Sequence, residues 1–249
     1  MTEAAELLVE DDGAVVVVTF NRPRVRNALS TGLLAELDGV LGGFAGAPAG
    51  RAPRALLLTG AGGTFSSGAD TREPDWRDLS RRAVRRRHFR SVLASLHQAP
   101  FPLIAAVEGY ALGGGLEFAL ACDLVVTGEN ALFGLPELEV GAVPGGGAVH
   151  SLIRRAGRGT AARLLLVPGL RVTGAELGRL GAVEAVVPDG TALAAGRELA
   201  ARVAGRRADL LTSGVRLLRD SGHLDRTAAL AVEDGHWWAA AMGRPQTGG

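Results

Sequence analysis

One cysteine, Cys122, stands in the 249 residues, so the chain has no internal disulfide and suits a reducing compartment. A cytoplasmic protein is expected. No uncharged apolar run reaches the length of a membrane-crossing helix. The opening MTEAAELLVEDDG is acidic and lacks the charged-then-apolar order of a secretory leader. Charge of either sign is not in excess: 27 basic against 26 acidic residues leave a formal +1, which argues for neither a nucleic-acid partner nor a membrane surface. Familiar catalytic signatures are missing too. GAGGTF (60–65) lacks the third glycine of a dinucleotide fingerprint, VPGGGAVH (143–150) lacks a phosphate-loop lysine, and no serine occupies a G-x-S-x-G elbow. His88, His97, His150, His223 and His236 show no metal-ligand spacing, so no metal is expected.

What is present is a globular composition, 47% hydrophobic and 21% charged, able to build a sizeable core. Ala14–Phe20 (AVVVVTF) reads as a buried strand stopped by Asn21-Arg22-Pro23. Leu29–Phe44 has helical spacing, with Leu33, Leu34, Leu37 and Leu41 on one side and Ser30 as its cap. An Ala/Gly/Pro-rich connection over 45–53 leads to a second strand, Ala55–Thr59. Trp76–Gln98 is an amphipathic helix with Leu79, Ala83, Phe89, Val92 or Leu93, and Leu96 along its apolar stripe, ended by Pro100 and Pro102. Strands are expected at Leu103–Val107, Asp123–Thr127 and Ala131–Phe133, with a helix at Gly113–Ala121. From about Thr160 the pattern is mainly helical, with one strand at Ala182–Val187. Strands alternating with helices argue for an α/β class with a helical layer added at the end.

The chemistry gathers around GYALGGGLEFALACD (109–123), where three glycines and a glutamate interrupt an apolar run. Glu117 and Glu137 each sit beside a glycine-bearing loop among apolar neighbours, a setting that raises a carboxyl pKa because burial disfavours the charge. Two such acids on one pocket divide acid and base duties at neutral pH. A helix cap or an arginine pair is the alternative for either one, and spacing leaves this open. Gly113-Gly114-Gly115 at the head of a helix exposes backbone N–H groups, which suit a phosphate or an oxygen gaining negative charge. Ser66-Ser67-Gly68-Ala69-Asp70 offers a second set of donors, with tight turns as the plain reading of both loops. The arginines of RRAVRRRHFR (81–90) read as the solvated face of their helix, with attraction of an anionic substrate as a lesser role.

Four landmarks in order, NRPRVRNALS (21–30), GTFSSGAD (63–70), EGYALGGGLEFALACD (108–123) and FGLPELEVGAVPGGG (133–147), followed by LRVTGAELGRLGAVEAVVP (170–188), resemble the crotonase superfamily, most closely bacterial enoyl-CoA hydratases. The resemblance spans about residues 14–190. It implies a spiral of ββα units over residues 1–190 and a C-terminal helical region, 191–249, that builds a homotrimer or a dimer of trimers. The substrate it implies is an acyl-CoA thioester, with coenzyme A entering as part of the substrate and no separate cofactor. Ala69 and Gly114 match the backbone donors of the family's oxyanion hole, and Glu117 and Glu137 its two catalytic glutamates. Ser66, Ser67 and Gly68 match the border of the adenine and pantetheine, with Asp70 in the same loop. Arg24 and Arg26 are candidates for the CoA phosphates, solvent-exposed charge being the alternative.

The implied reaction is syn addition of water to a trans-2-enoyl-CoA. A double-bond isomerase, which needs one carboxylate, and a pathway-specific decarboxylase or dehydratase share the scaffold. A non-catalytic acyl-CoA-binding paralogue is the reading from another class. Two departures from the pattern stand out. Ala148-Val149-His150 replaces the Thr-Gln-Arg that follows the glycines in many hydratases, and the sequence given ends at GRPQTGG instead of the segment with which the family completes its trimer region.

Overall fold

In the computed structural model, residues 5–45, 52–73 and 78–242 are described. Most of the 45–53 connection, Trp76 and the GRPQTGG end therefore lie outside the described residues. Valine and leucine runs without polar alternation become strands buried on both faces, as parallel sheets require. Strands β1 (Leu7–Asp11), β2 (Val15–Phe20), β3 (Ala55–Gly60), β4 (Leu103–Val107), β6 (Leu124–Gly128) and β9 (Ala185–Val187) form one sheet in that order. Only β1 runs antiparallel. A smaller sheet joins β5 (Tyr110–Leu112), β7 (Leu132–Gly134) and β8 (Val172–Thr173). β4–β5 and β6–β7 each give one strand to each sheet before the chain turns into a helix, so the chain winds as the expected ββα spiral.

Alternate side chains of the large sheet feed two different cores. Val16, Val18 and Phe20 point into the larger one, with Leu33, Leu34 and Leu37 of α1 (Thr31–Ala45) and Phe118 of α3 (Gly114–Ala121). Val15 and Val17 point the other way, against Ala192, Ala200 and Ala204 of α6 (Ala192–Ala204). Small residues let α6 approach closely: a β-carbon at Gly196 would lie 3.0 Å from Leu57 Cδ1. The helical region's first helix is thus part of the sheet's own packing.

Capping residues set the helix starts. Ser30 Oγ accepts from Leu33 N at 2.9 Å, the expected cap of α1. Helix α2 (Leu79–Gln98) begins later than Trp76 because Asp78 accepts from Ser80 N at 2.8 Å. Leu79, placed on the apolar stripe by spacing, is 78% exposed; Phe89, Val92 and Leu96 are the residues α2 buries. Helix α4 (Ala148–Leu166) starts well before Thr160 and breaks at Gly157. Between α4 and α6 lies α5 (Gly174–Arg179). Cys122 caps the C-terminal end of α3, fully buried, and burial pushes its thiol pKa far up.

Helix α7 (Ala208–Ser221) is tied to the core by Arg219, which holds Asp123 through two bonds of 2.9 and 2.7 Å. Helix α8 (Arg226–Met242) buries none of its residues and leaves Trp237 and Trp238 more than half exposed. Among the described residues no helix is long and apolar enough to cross a membrane.

Candidate active site

The turn from β5 into α3 needs glycine for separate reasons. Gly113 has φ 51° and ψ −122°, and a β-carbon there would approach Glu137 Oε1 to 3.1 Å. Gly115 packs so closely on residue 66 that a β-carbon would lie 2.7 Å from Ser66 O. Between them Gly114 is the first helical residue, so its N–H has no intrahelical acceptor. Among the described residues it donates to nothing.

The 63–70 loop is joined to β5 by Ser66, whose N–H donates to Tyr110 O and whose carbonyl accepts from Leu112 N. It is held from behind by Asn27, which donates from Nδ2 to Ala61 O and Thr64 O at 2.9 and 2.5 Å and accepts from Arg22 N. Ala69 bridges Leu29 in parallel register: Leu29 N donates to Gly68 O and Asp70 N to Leu29 O. Successive N–H groups of extended backbone point in opposite directions, so that of Ala69 faces away from Leu29. It too has no acceptor among the described residues. A β-carbon on Gly68 would be 3.6 Å from Gly114 N, which places the two free donors at adjoining backbone.

Both acids reach this place. Glu117, 5% exposed on α3, accepts at Oε1 from Gly145 N (3.0 Å) and Gly146 N. Burial raises its pKa, while these two N–H groups and the charge of Arg86 pull it back. Glu137 opens a 3-10 turn, Glu137–Val140, directly after β7. Its Oε2 is buried and has no partner among the described residues. Burial, with the charge of Glu117 adding, pushes its pKa up to about 7.

Glu117, Glu137, Ala69 and Gly114 line one cavity of about 420 Å³, whose far wall is α2 with Leu79, Ala83 and Phe89. A second cavity of about 300 Å³, bordered by Val25, Ser67 and Gly68, shares Ala69, Gly114, Glu137 and Ala142 with the first. A ligand running through both would therefore pass the two backbone donors at the junction.

Four expected substrate contacts fare differently. Ser66 has no exposed surface; its hydroxyl donates to Asn27 O at 2.8 Å and accepts from Gly68 N, so it holds the loop and lines neither cavity. Asp70 borders the second cavity, but its carboxylate is committed to Arg22 (2.9 Å) and Arg72 (3.1 Å). Burial works against that charge, and the two guanidinium groups more than offset it, holding the pKa below the ordinary value. Arg24 and Arg26 are exposed and line neither cavity; Arg26 lies over the Tyr110 ring at 5.3 Å.

Sequence reasoning read Arg82, Arg85 and Arg86 chiefly as the solvated face of their helix, whereas they line the first cavity with Phe89. Their helical spacing to Phe89, a buried residue, was the available signal. Gly145 and Gly146, which hold Glu117, were read only as part of a glycine run.

A family model described as enoyl-CoA hydratase/isomerase matches residues 10–229. The 2,3-dehydroadipyl-CoA hydratase of Escherichia coli K12 is 37% identical over 92% of this chain and 88% of its own. The short-chain-enoyl-CoA hydratase of Clostridium acetobutylicum is 33% identical, over 93% and 87%. The solved enoyl-CoA hydratase of Bacillus anthracis superposes with a TM-score of 0.89 at 30% identity, over 96% of this chain and 92% of that one.

Proposed function

Because the chain belongs to the enoyl-CoA hydratase/isomerase family, we propose that it adds water, syn, across the double bond of a trans-2-enoyl-CoA thioester. It is then an enzyme of the hydro-lyase class. The observation that carries the reading is a buried acid, Glu117, and a half-buried one, Glu137, facing one cavity beside two unengaged backbone donors.

The thioester oxygen lies between the N–H groups of Ala69 and Gly114, with pantetheine along Ser67 and Gly68 and the acyl group toward α2. As the β-carbon is attacked, negative charge moves onto that oxygen, and each fixed donor lowers the barrier by about 3 kcal/mol. Glu117, whose carboxylate form is favoured by two N–H donors, holds the water and takes its proton as oxygen bonds to the β-carbon. Glu137, with a pKa of about 7, is protonated in a good fraction of molecules at neutral pH and gives its proton to the α-carbon. The cycle closes when the proton passes from Glu117 to Glu137 through the next water.

An isomerase moves one proton between carbons and needs one carboxylate; two desolvated acids favour hydration. They also speak against a non-catalytic acyl-CoA-binding paralogue, which has no use for either. Loss of the conjugated thioester absorbance of crotonyl-CoA tests the reading. A shift of a 3-enoyl-CoA double bond without hydration would replace it with the isomerase.

A homotrimer or dimer of trimers completes the proposal. Leu218, Leu230, Trp237, Trp238 and Met242 of α7 and α8 are each more than half exposed, more apolar surface than a monomer ordinarily leaves to water. Light scattering at micromolar concentration is expected to give a multiple of the 25.6 kDa chain, and a stable monomer would contradict it.

A further inference from the structure

Arg86 is the eighth residue of α2, on the cavity wall facing the loop that holds Glu117. Its Nη2 donates to Gly145 O at 2.6 Å. That carbonyl and the N–H of Gly146 belong to the same peptide group, and the N–H donates to Glu117 Oε1. The preceding peptide donates to the same oxygen from Gly145 N at 3.0 Å. Guanidinium, peptide and carboxylate therefore form one chain of hydrogen bonds with every dipole aligned. A cation at the carbonyl end polarises the amide and strengthens the bond at its N–H end. The packing leaves no slack: a β-carbon on Gly145 would sit 2.6 Å from Arg86 Nη2, and one on Gly146 would sit 2.7 Å from Glu117 Cδ.

We propose that Arg86 is a positioning residue for hydration, acting on Glu117 through the Gly145–Gly146 peptide, which it orients and polarises to keep the Glu117 carboxylate ionised and aimed at the water site. The inference rests on the role given to Glu117 above. Among the described residues, the charged side chains lining the cavity with Glu117 are Arg82, Arg85 and Arg86 from α2 and Glu137 from the turn after β7; β5 and α4 place none there. Arg85 donates to Leu29 O at 2.9 Å, so among these arginines the bond to the Gly145 carbonyl is made by Arg86. Burial raises the Glu117 pKa and the charge of Arg86 opposes that rise, in the direction the hydrogen bonds require.

The test is the pH profile of kcat/KM for crotonyl-CoA in wild type, Arg86→Gln and Arg86→Lys. Removing the charge raises the Glu117 pKa, so the acidic limb moves to higher pH, by about half a unit to one unit. Activity at pH values below the limb then falls about three- to tenfold, the loss shrinking as pH rises. Lysine restores the charge and brings the limb back most of the way. Arg86 is exposed, so the substitutions leave the core intact; Arg86→Met, which keeps the stem beside Phe89, gives the same reading should glutamine fold poorly. A uniform loss at every pH with an unmoved limb, or no loss, overturns the proposal and leaves the hydratase reading standing. If wild type hydrates nothing, that reading falls, and 13C-carboxyl titration of Glu117 in free wild type and Arg86→Gln still decides the inference: unchanged titration overturns it, an upward shift supports it.

Discussion

A helix and a short turn carry one carboxyl group each into the same cavity, and the protein treats the two groups in opposite ways. Glu117 sits where the 145–146 loop folds over α3, and one of its oxygens receives two peptide N–H groups. Glu137 sits where β7 gives way to a 3-10 turn, and one of its oxygens is buried with no donor. Both are shielded from water, so burial alone would make them alike. The difference lies in the backbone: two N–H groups of the 145–146 loop stand in for water around Glu117, whereas Glu137 has the pull of its own N–H alone and one oxygen left without a donor among the described residues. Under the proposed mechanism one chemical group thereby serves as base on α3 and as acid on the 3-10 turn.

The sharpest way to break that contrast is to remove it. Glu117→Gln and Glu137→Gln keep shape without acid–base capacity, and each is expected to lower kcat for crotonyl-CoA hydration by about 10²–10⁴-fold with little change in binding. Survival of activity within about a factor of ten in both would make the acids structural. An isomerase would lose everything from one change and tolerate the other. The double variant is expected to add a much smaller loss than the product of the singles, because groups acting on one water are not additive. A milder effect is the alkaline limb of the pH profile. Hydration needs Glu137 protonated, so kcat/KM should fall as pH rises through about 7, and fall again at acid pH as Glu117 gains its proton. The two limbs belong to the coupled pair, and a profile flat up to pH 9 would remove Glu137 as the proton donor.

Much of this was legible in the sequence. β2, β3 and β4 announced themselves as unbroken apolar runs, and Ser30 as the start of α1. β5 and β8, three and two residues long, carry no periodicity and exist only because neighbouring strands pair with them. β1 hides differently: of LLVED only Leu7 is buried, as suits an antiparallel edge. In the site, the acids and the glycine turns stood out because apolar surroundings make a carboxylate conspicuous. The internal partners of Ser66 and Asp70 were not legible in the sequence. Those partners, Asn27 and Arg22, lie far back in the chain and meet the loop only after folding.

Cys122 gives the chain a reporter of its own motion. Its thiol is sealed against the C-terminal end of the helix that carries Glu117, and burial holds it in the unreactive protonated form. A thiol reagent in excess can modify it only after the core around α3 opens. No second sulfhydryl competes for the label. The rate of modification therefore counts openings of the site's own helix in the native protein, and a CoA ligand that secures the helix slows that count in proportion to how tightly it binds the closed form.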